Sequence, residues 1–373
     1  MAIPSLAVWL GVATYVKADD GKSPTLDAID AIVAEGMEKG EMPGAVVLVG
    51  TSKQILHFRA YGDRQQEPDI EAMTRDTIFD LASLTKPIAT ATSVMVLVDQ
   101  GKVSVTEAAS KYLPEFTGHG KEGITLHHLL THTSGLIADN HLRDYQDGPE
   151  QAWERICALE LKAEPGEEFI YSDVGFIVLG KLIERVSGRP LNEFAHENIY
   201  KPLGMAATGY LPPAERSGQI APTEKVDGQW RRGVVHDPRS HLLGGVAGHA
   251  GLFSHASELS LYAKMILGKG ELNGTRILSE PTWELMLTPR EVPRGTRAYG
   301  WDHRTGYSSN RGEGLSDRAI GHGGFTGTGI WIDPQRDLYY IWLSSRLHPD
   351  GKGTVNKLIG RVGAVAAEAV QAE

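Results

Sequence analysis

The sequence predicts an α+β fold: an antiparallel sheet flanked by helices, a mostly helical lobe beside it, and a cleft where the two meet. Three observations predict it. A helix and two strand-like runs open the chain after residue 25, two strand-like runs and a helix close it, and the residues from about 81 to 239 read mostly as helix. At 373 residues the chain is long enough for one large two-lobed domain. We place that domain over residues 25–373, with the α/β lobe at about 25–80 and 240–373.

The elements follow in order. Leu26, Ile29, Ile32, Val33 and Met37 recur at helical spacing, and Gly40 can end that helix. Residues 45–49 and 55–61 read as strands of a hairpin turning at Thr51-Ser52-Lys53. Helices are expected at 89–100, 105–112, 125–131, 150–160, 174–186 and 190–200, with Gly101 and Gly188 as stops. Residues 219–235 suggest a hairpin around Asp227-Gly228. Strands at 329–333 and 338–343 flank Pro334-Gln335-Arg336-Asp337, and Val355, Leu358, Ile359, Val362, Val365, Ala366 and Ala369 form one face of a last helix.

Composition narrows the function. A formal charge of −10 would repel a nucleic-acid backbone or an anionic membrane surface, so a small-molecule or peptide substrate is the expected partner. The single cysteine, Cys157, excludes a disulfide within the chain and a cysteine-based metal site. Cys157 itself reads as a small buried hydrophobe on a helix. Residues 3–16 form an uncharged apolar run, too short for a stable membrane span and fitting the core of a secretory signal. Residues 1–18 are therefore expected to be a signal segment removed near Ala18, placing the protein in the periplasm or outside the cell. Glycine is in surplus at 43 residues, and clusters at 244–251 and 321–329 suggest backbone access for a substrate.

No Gly-x-Ser-x-Gly, Gly-x4-Gly-Lys-Ser/Thr or His-Glu-x-x-His pattern is present. What remains is Ser83-Leu84-Thr85-Lys86, placed after the extended run Ile78-Phe79-Asp80-Leu81 and at the start of a helix. A three-residue helical offset puts the Ser83 hydroxyl and the Lys86 amine on one face, and the helix start adds a positive field. The plainer alternative is a helix-capping serine beside a solvated lysine.

The segment Phe79-Asp80-Leu81-Ala82-Ser83-Leu84-Thr85-Lys86 resembles the active-site segment of the penicillin-recognising serine hydrolases, particularly the class C β-lactamase branch with its D-alanyl-D-alanine peptidases and esterases. The run from Leu129 to Leu136, the element Tyr171-Ser172-Asp173 and the element His322-Gly323-Gly324 resemble further blocks of that branch, in the same order, as does the glycine-rich run 244–254. The resemblance implies a β-lactamase/transpeptidase-like fold and an acyl-enzyme formed through Ser83. It implies Lys86 and Tyr171 as the acid and base pair, and an oxyanion hole from the Ser83 and Phe325 amides. It places Asp173, His322, Gly323 and Gly324 at the substrate and calls for no cofactor.

Two departures matter. Asp173 stands where the family usually has Asn, so it can accept from Lys86 but cannot donate to a substrate carbonyl. Its charge favours the ammonium form of Lys86, shifts basic duty to Tyr171 and makes strong β-lactamase activity less expected. His322 stands where most β-lactamases have Lys, which suggests pH-dependent binding of a carboxylate-bearing substrate. His127, His128 and His132 lack an adjacent carboxylate motif, so core or capping roles are expected of them rather than metal binding; His236, His241, His249 and His255 form a second group, of which His249, in its glycine-rich block, could face the cleft. Trp301-Asp302 could line the cleft or pack. The expected activity is that of a peptidase or esterase on cell-wall-related or small ester and amide substrates, the alternative being a penicillin-binding sensor that acylates without turnover.

Overall fold

The computed structural model describes residues 26–371. The apolar run at 3–16 and the expected cleavage near Ala18 lie outside the described residues. The nine-stranded antiparallel sheet is built from β1 (Gly44–Gly50), β2 (Ile55–Gln65), β3 (Glu71–Ala72), β4 (Arg290–Val292), β5 (Gly295–Arg297), β6 (Asp302–Arg304), β7 (Ile320–Gly324), β8 (Thr328–Asp333) and β9 (Leu338–Ser344). Their spatial order is β4-β5-β6-β7-β8-β9-β1-β2-β3, so the two chain ends meet where β1 pairs with β9. Helices are α1 (Ala28–Glu38), α2 (Thr92–Asp99), α3 (Leu126–Leu130), α4 (Pro149–Cys157), α5 (Asp173–Ser187), α6 (Leu191–Ala195), α7 (Pro238–Leu242), α8 (Ala256–Leu267), α9 (Glu280–Leu287) and α10 (Asn356–Gln371).

Strand alternation explains why β1 is buried on both faces. Ala45, Val47 and Val49 join Ile29, Ile32 and Val33 of α1 and Leu358, Ile359 and Val362 of α10 in one core. Val46 and Leu48 point the other way, into a second core with Leu259, Tyr262 and Ile266 of α8 and the helices from α2 to α5. The sheet is thus covered by the two terminal helices on one side and by the central helices on the other.

Most predicted elements are present, with two instructive differences. Residues 105–112 hold no α-helix: a turn leads to a single bridge between Ala108 and Thr125, and the His127, Leu126 and Ala109 N–H groups bond across to the Val105, Glu107 and Ile124 carbonyls at 2.7, 3.1 and 2.8 Å. Only a tight turn at Ala109–Lys111 is helical. Nonlocal pairing overrides the local pattern there. The helix expected from residue 89 begins earlier, as a wide π turn over Lys86–Ala91 that leads into α2. The Thr92 hydroxyl donates to the Pro87 carbonyl at 2.9 Å, supporting this widened turn.

Several glycines of the two clusters are also required by close packing of chain on chain. A Cβ on Gly248 would lie 1.9 Å from the Phe176 carbonyl oxygen in α5, while one on Gly180 would lie 3.1 Å from the Gly248 nitrogen. A loop and a helix therefore touch backbone to backbone. On β7, a Cβ on Gly321 would strike the Trp331 ring at 2.1 Å, and one on Gly324 would meet the Leu81 carbonyl oxygen at 2.5 Å. Close packing of chain on chain accounts for these glycines. Gly248→Ala is expected to destabilise the protein by about 1–3 kcal/mol or more. Gly218→Ala, with no atom within 4 Å of the added carbon, is expected to leave the melting temperature nearly unchanged. Thermal melts of the two variants check this, and equal effects would contradict it.

Candidate functional site

The site begins with a held turn. Asp80 is buried, and its carboxylate accepts from the Ala82 N–H at 2.8 Å and the His236 N–H at 2.6 Å. Its carbonyl accepts from the Thr326 hydroxyl at 2.7 Å, and the Leu81 carbonyl accepts from the Thr328 hydroxyl at 3.1 Å. These bonds tie the segment to β8 and to the loop before it. They hold Ala82 at φ +45°, a strained backbone for a residue with a Cβ. Ser83 follows on a tight turn at Ala82–Leu84, and Lys86 opens the π turn three residues on.

Lys86 is fully buried, yet every ammonium proton has an acceptor in reach. Its Nζ lies 2.9 Å from the Ser83 Oγ, 3.1 Å from the His249 carbonyl oxygen and 2.6 Å from the Asp173 Oδ1. Burial disfavours the charge, but the Asp173 carboxylate and the neighbouring Tyr171 outweigh it and hold the Lys86 pKa above its ordinary value. Lys86 is therefore an ammonium that donates to Ser83 at neutral pH. It is not a free amine waiting to accept a proton.

Tyr171 is fixed by stacking. Its ring lies between His132, at 4.4 Å between centroids, and Tyr307, at 4.7 Å, and the Lys86 Nζ sits 5.0 Å from the ring centre. His132 belongs to the run Leu129–Leu136 and adopts φ +60°, which turns its Nδ1 to accept the Ser172 N–H at 3.0 Å. Ser172 caps α5 by accepting the Gly175 N–H at 3.0 Å, so Asp173 starts the helix beside Lys86. One short sequence element thus places both Tyr171 and Asp173.

His322, Gly323 and Gly324 lie on β7, and Phe325 follows. With Ser83 and Tyr171 they line a cavity of about 370 Å³. Phe325 is 60% exposed, and its carbonyl accepts from the Arg346 Nε at 2.6 Å. His322 corrects an expectation. It is buried, and burial with the nearby Arg297 and Lys86 cations pushes its pKa well below the usual histidine value. Held toward its neutral form in this way, it does not supply the charge expected of it for a substrate carboxylate at neutral pH.

Sequence reasoning missed Arg297, Asn310, Arg346 and Asn356, which line the same cavity. Of the pair it flagged, Trp301 is fully buried packing and Asp302 lines the cavity. It also left His249 without a role. His249 Nε2 pairs with Asp237 at 2.8 Å, and the Asp237 carboxylate caps α7 through the Ser240 N–H at 2.7 Å. Asp173, Asp237 and His249 have donor atoms within 4.8 Å of one another, the one such metal-ligating group among the described residues. The Lys86 ammonium already sits against this group and supplies its positive charge, which opposes a second cation. Cys157 is half-buried at the end of α4, its thiol pushed up by burial to about 11, and so carries no thiolate chemistry near pH 7.

A family model described as β-lactamase matches residues 29–364. The chain belongs to the β-lactamase family. An N-acetylmuramyl-L-alanine amidase of Bacillus subtilis is 32% identical over 362 residues, which covers 87% of this chain and 81% of the relative. A protein of Escherichia coli K12, provisionally named a D-alanyl-D-alanine carboxypeptidase, is 30% identical over 362 residues, covering 87% of this chain and 82% of the relative. A solved class C β-lactamase superposes with a TM-score of 0.77 at 18% identity, over 94% of this chain and 98% of that one, and shares the fold. The chain is thus a β-lactamase-family serine hydrolase. Among the described residues no helix is long and apolar enough to cross a membrane.

The buried imidazoles of this family member set its stability in acid. Burial lowers the pKa of His57, His127 and His348 to about 4, and that of His132 and His322 well below 6.5. The unfolded chain then binds more protons than the folded one below the ordinary histidine value of about 6.5. The stability they contribute is present above that value and is lost as the pH falls. The melting temperature is expected to drop by several degrees from about pH 7.5 to about pH 5.5; a constant or rising value would contradict it.

Proposed function

We propose that this protein is an acyl-enzyme hydrolase of amides derived from the bacterial cell wall, acting outside the cytoplasm with Ser83 as nucleophile. The observation that carries this reading is the Lys86 ammonium 2.9 Å from the Ser83 Oγ, on the wall of a cavity large enough for a peptide fragment. Both curated relatives bear names that describe amide cleavage, an amidase and a carboxypeptidase, which favours an amide over a simple ester. The apolar run at residues 3–16 supports export.

The chemistry follows from the charge state of Lys86. Because the ammonium cannot accept a proton, Tyr171 in its phenolate form takes the Ser83 proton as the Oγ–carbon bond forms. Lys86 donates toward Ser83 and offsets the negative charge that passes between oxygen atoms. The Ser83 and Phe325 N–H groups receive the carbonyl oxygen as it becomes an oxyanion. Tyr171 then returns the proton to the leaving nitrogen, the carbon–nitrogen bond breaks, and the acyl group remains on Ser83. Water then attacks the acyl carbon while giving a proton to Tyr171, the Oγ–carbon bond breaks, and Tyr171 returns the proton to the Ser83 Oγ, releasing the acid. Asp173 holds the Lys86 charge throughout and offers no donor to the substrate.

The test is a panel of a muramyl-L-alanine peptide, an acyl-D-alanyl-D-alanine peptide, a short-chain aryl ester and a chromogenic cephalosporin. Ser83→Ala is expected to lower kcat/KM by at least about 10³-fold on every substrate that turns over, and to abolish the acyl adduct seen by intact-protein mass spectrometry. Turnover that survives Ser83→Ala would refute the reading. A second variant tests the role of Asp173. Asp173→Asn restores a side-chain donor, so it is expected to raise cephalosporin turnover several-fold, and a fall or no change would count against that role.

A further inference from the structure

Resting on the acyl-enzyme reading above, we propose that His249 is a positioning residue: its imidazole, tied to Asp237, fixes the backbone carbonyl that orients the Lys86 ammonium toward Ser83. The loop at residues 244–252 contains four glycines and one side chain with hydrogen-bonding atoms, that of His249. Its glycines do little to restrain the backbone, and Gly245 and Gly251 take φ of +83° and +120°. Yet two carbonyls of this loop must be aimed at the nucleophile segment. The Gly248 carbonyl accepts the Thr90 hydroxyl at 2.6 Å, and the His249 carbonyl accepts the Lys86 Nζ at 3.1 Å. A rotated His249 peptide would leave the three ammonium protons with two acceptors, Asp173 and Ser83.

The side chain of His249 supplies the missing restraint. At 1% exposure it offers a substrate no surface, so its part in the reaction runs through Lys86. Its Nε2 lies 2.8 Å from the Asp237 Oδ1, and because an ionised carboxylate can only accept, Nε2 carries the proton. Burial opposes the Asp237 charge, but His249, the Ser240 N–H and Lys86 outweigh it and hold this carboxyl well below its ordinary pKa. Asp237 is fixed in turn. The same Oδ1 accepts the Ser240 N–H at 2.7 Å, while the Ser240 hydroxyl donates to the Ala250 carbonyl at 3.0 Å and the Ser240 carbonyl accepts the Gly245 N–H at 2.8 Å. One residue before Asp237, the His236 N–H donates to the Asp80 carboxylate that anchors the Ser83 turn. The segment 236–240 therefore holds the Ser83 turn through Asp80 and the Lys86 acceptor through His249, which keeps the two in register.

The experiment measures how fast a fluorophosphonate labels Ser83, followed by intact-protein mass spectrometry. The Ser83 Oγ displaces fluoride from phosphorus, so the rate constant reads the activation of that oxygen, and a first-order constant does not depend on how much of the sample is folded. His249→Ala is expected to slow labelling at least about 10-fold, and to lower kcat on the best substrate of the panel by a similar factor with KM kept within about 3-fold. His249→Gln, whose amide nitrogen reaches the place of Nε2 and can donate to Asp237, is expected to recover at least about half of that loss on a logarithmic scale. Slowing of less than about 10-fold in His249→Ala overturns the proposal, as does recovery of less than about half in His249→Gln or a loss expressed in KM instead of kcat. The hydrolase reading fails separately. Wild type that labels at Ser83 but turns over no amide rejects that reading, while the labelling ratios still decide the role of His249. Amide turnover at an unchanged kcat in His249→Ala upholds the reading and rejects this proposal. If His249→Ala does not fold, His249→Asn, whose amide is too short to reach Asp237, replaces it in both measurements.

Discussion

The buried contact between Lys86 and Asp173 governs the site. An ammonium with no solvent exposure is strongly disfavoured, and it persists here because a carboxylate and two oxygen acceptors surround it. Those partners come from three separate parts of the chain: the turn carrying Ser83, the first residue of α5, and the glycine-rich loop at His249. Each part is held by its own device. Asp80 anchors the turn, Ser172 caps the helix, and Gly248 lets the loop lie against α5 without a side chain between them. Loss of any one would leave the Lys86 charge short of a partner, so fold and chemistry are tied at this residue.

The sheet supplies the opposite wall. β7 lies between β6 and β8, and β8 is joined through β9 to the fully buried β1. Its position is therefore set by a core that involves both ends of the chain. This wall carries His322 to Gly324 and stands beside β6 and β5, which bring in Asp302 and Arg297. Electrostatics divides the cavity in two. Near Ser83 the Lys86 and Asp173 charges lie 2.6 Å apart, while at Arg297 the contact with Asp302 is longer, at 3.3 Å.

Local features of this arrangement were legible in the sequence, and nonlocal ones were not. The offset from Ser83 to Lys86 and the strand at 45–49 depend on neighbours a few residues apart, and each appears as read. The pairing of Asp173 with Lys86 was also readable, because an acidic side chain replaced an amide at a recognisable position. Residues 105–112 were misread because their backbone bonds go to a segment nearly twenty residues away. The charge state of His322 was misread because burial and two cations remote in sequence but near in space, not its own sequence context, set it. Arg297 was invisible for the same reason: nothing in its neighbourhood distinguishes it from a surface arginine until the sheet places it on the wall of the Ser83 cavity.

The charge on Lys86 can be measured directly. The Lys86 side-chain carbon beside the amine, labelled with ¹³C and assigned by comparison with Lys86→Arg, reports its protonation in an NMR titration. An ammonium held by Asp173 predicts a shift that stays at its charged value from about pH 6 through the ordinary lysine pKa of about 10.4. A titration step near pH 7 to 8 would contradict it and would return the role of general base to Lys86.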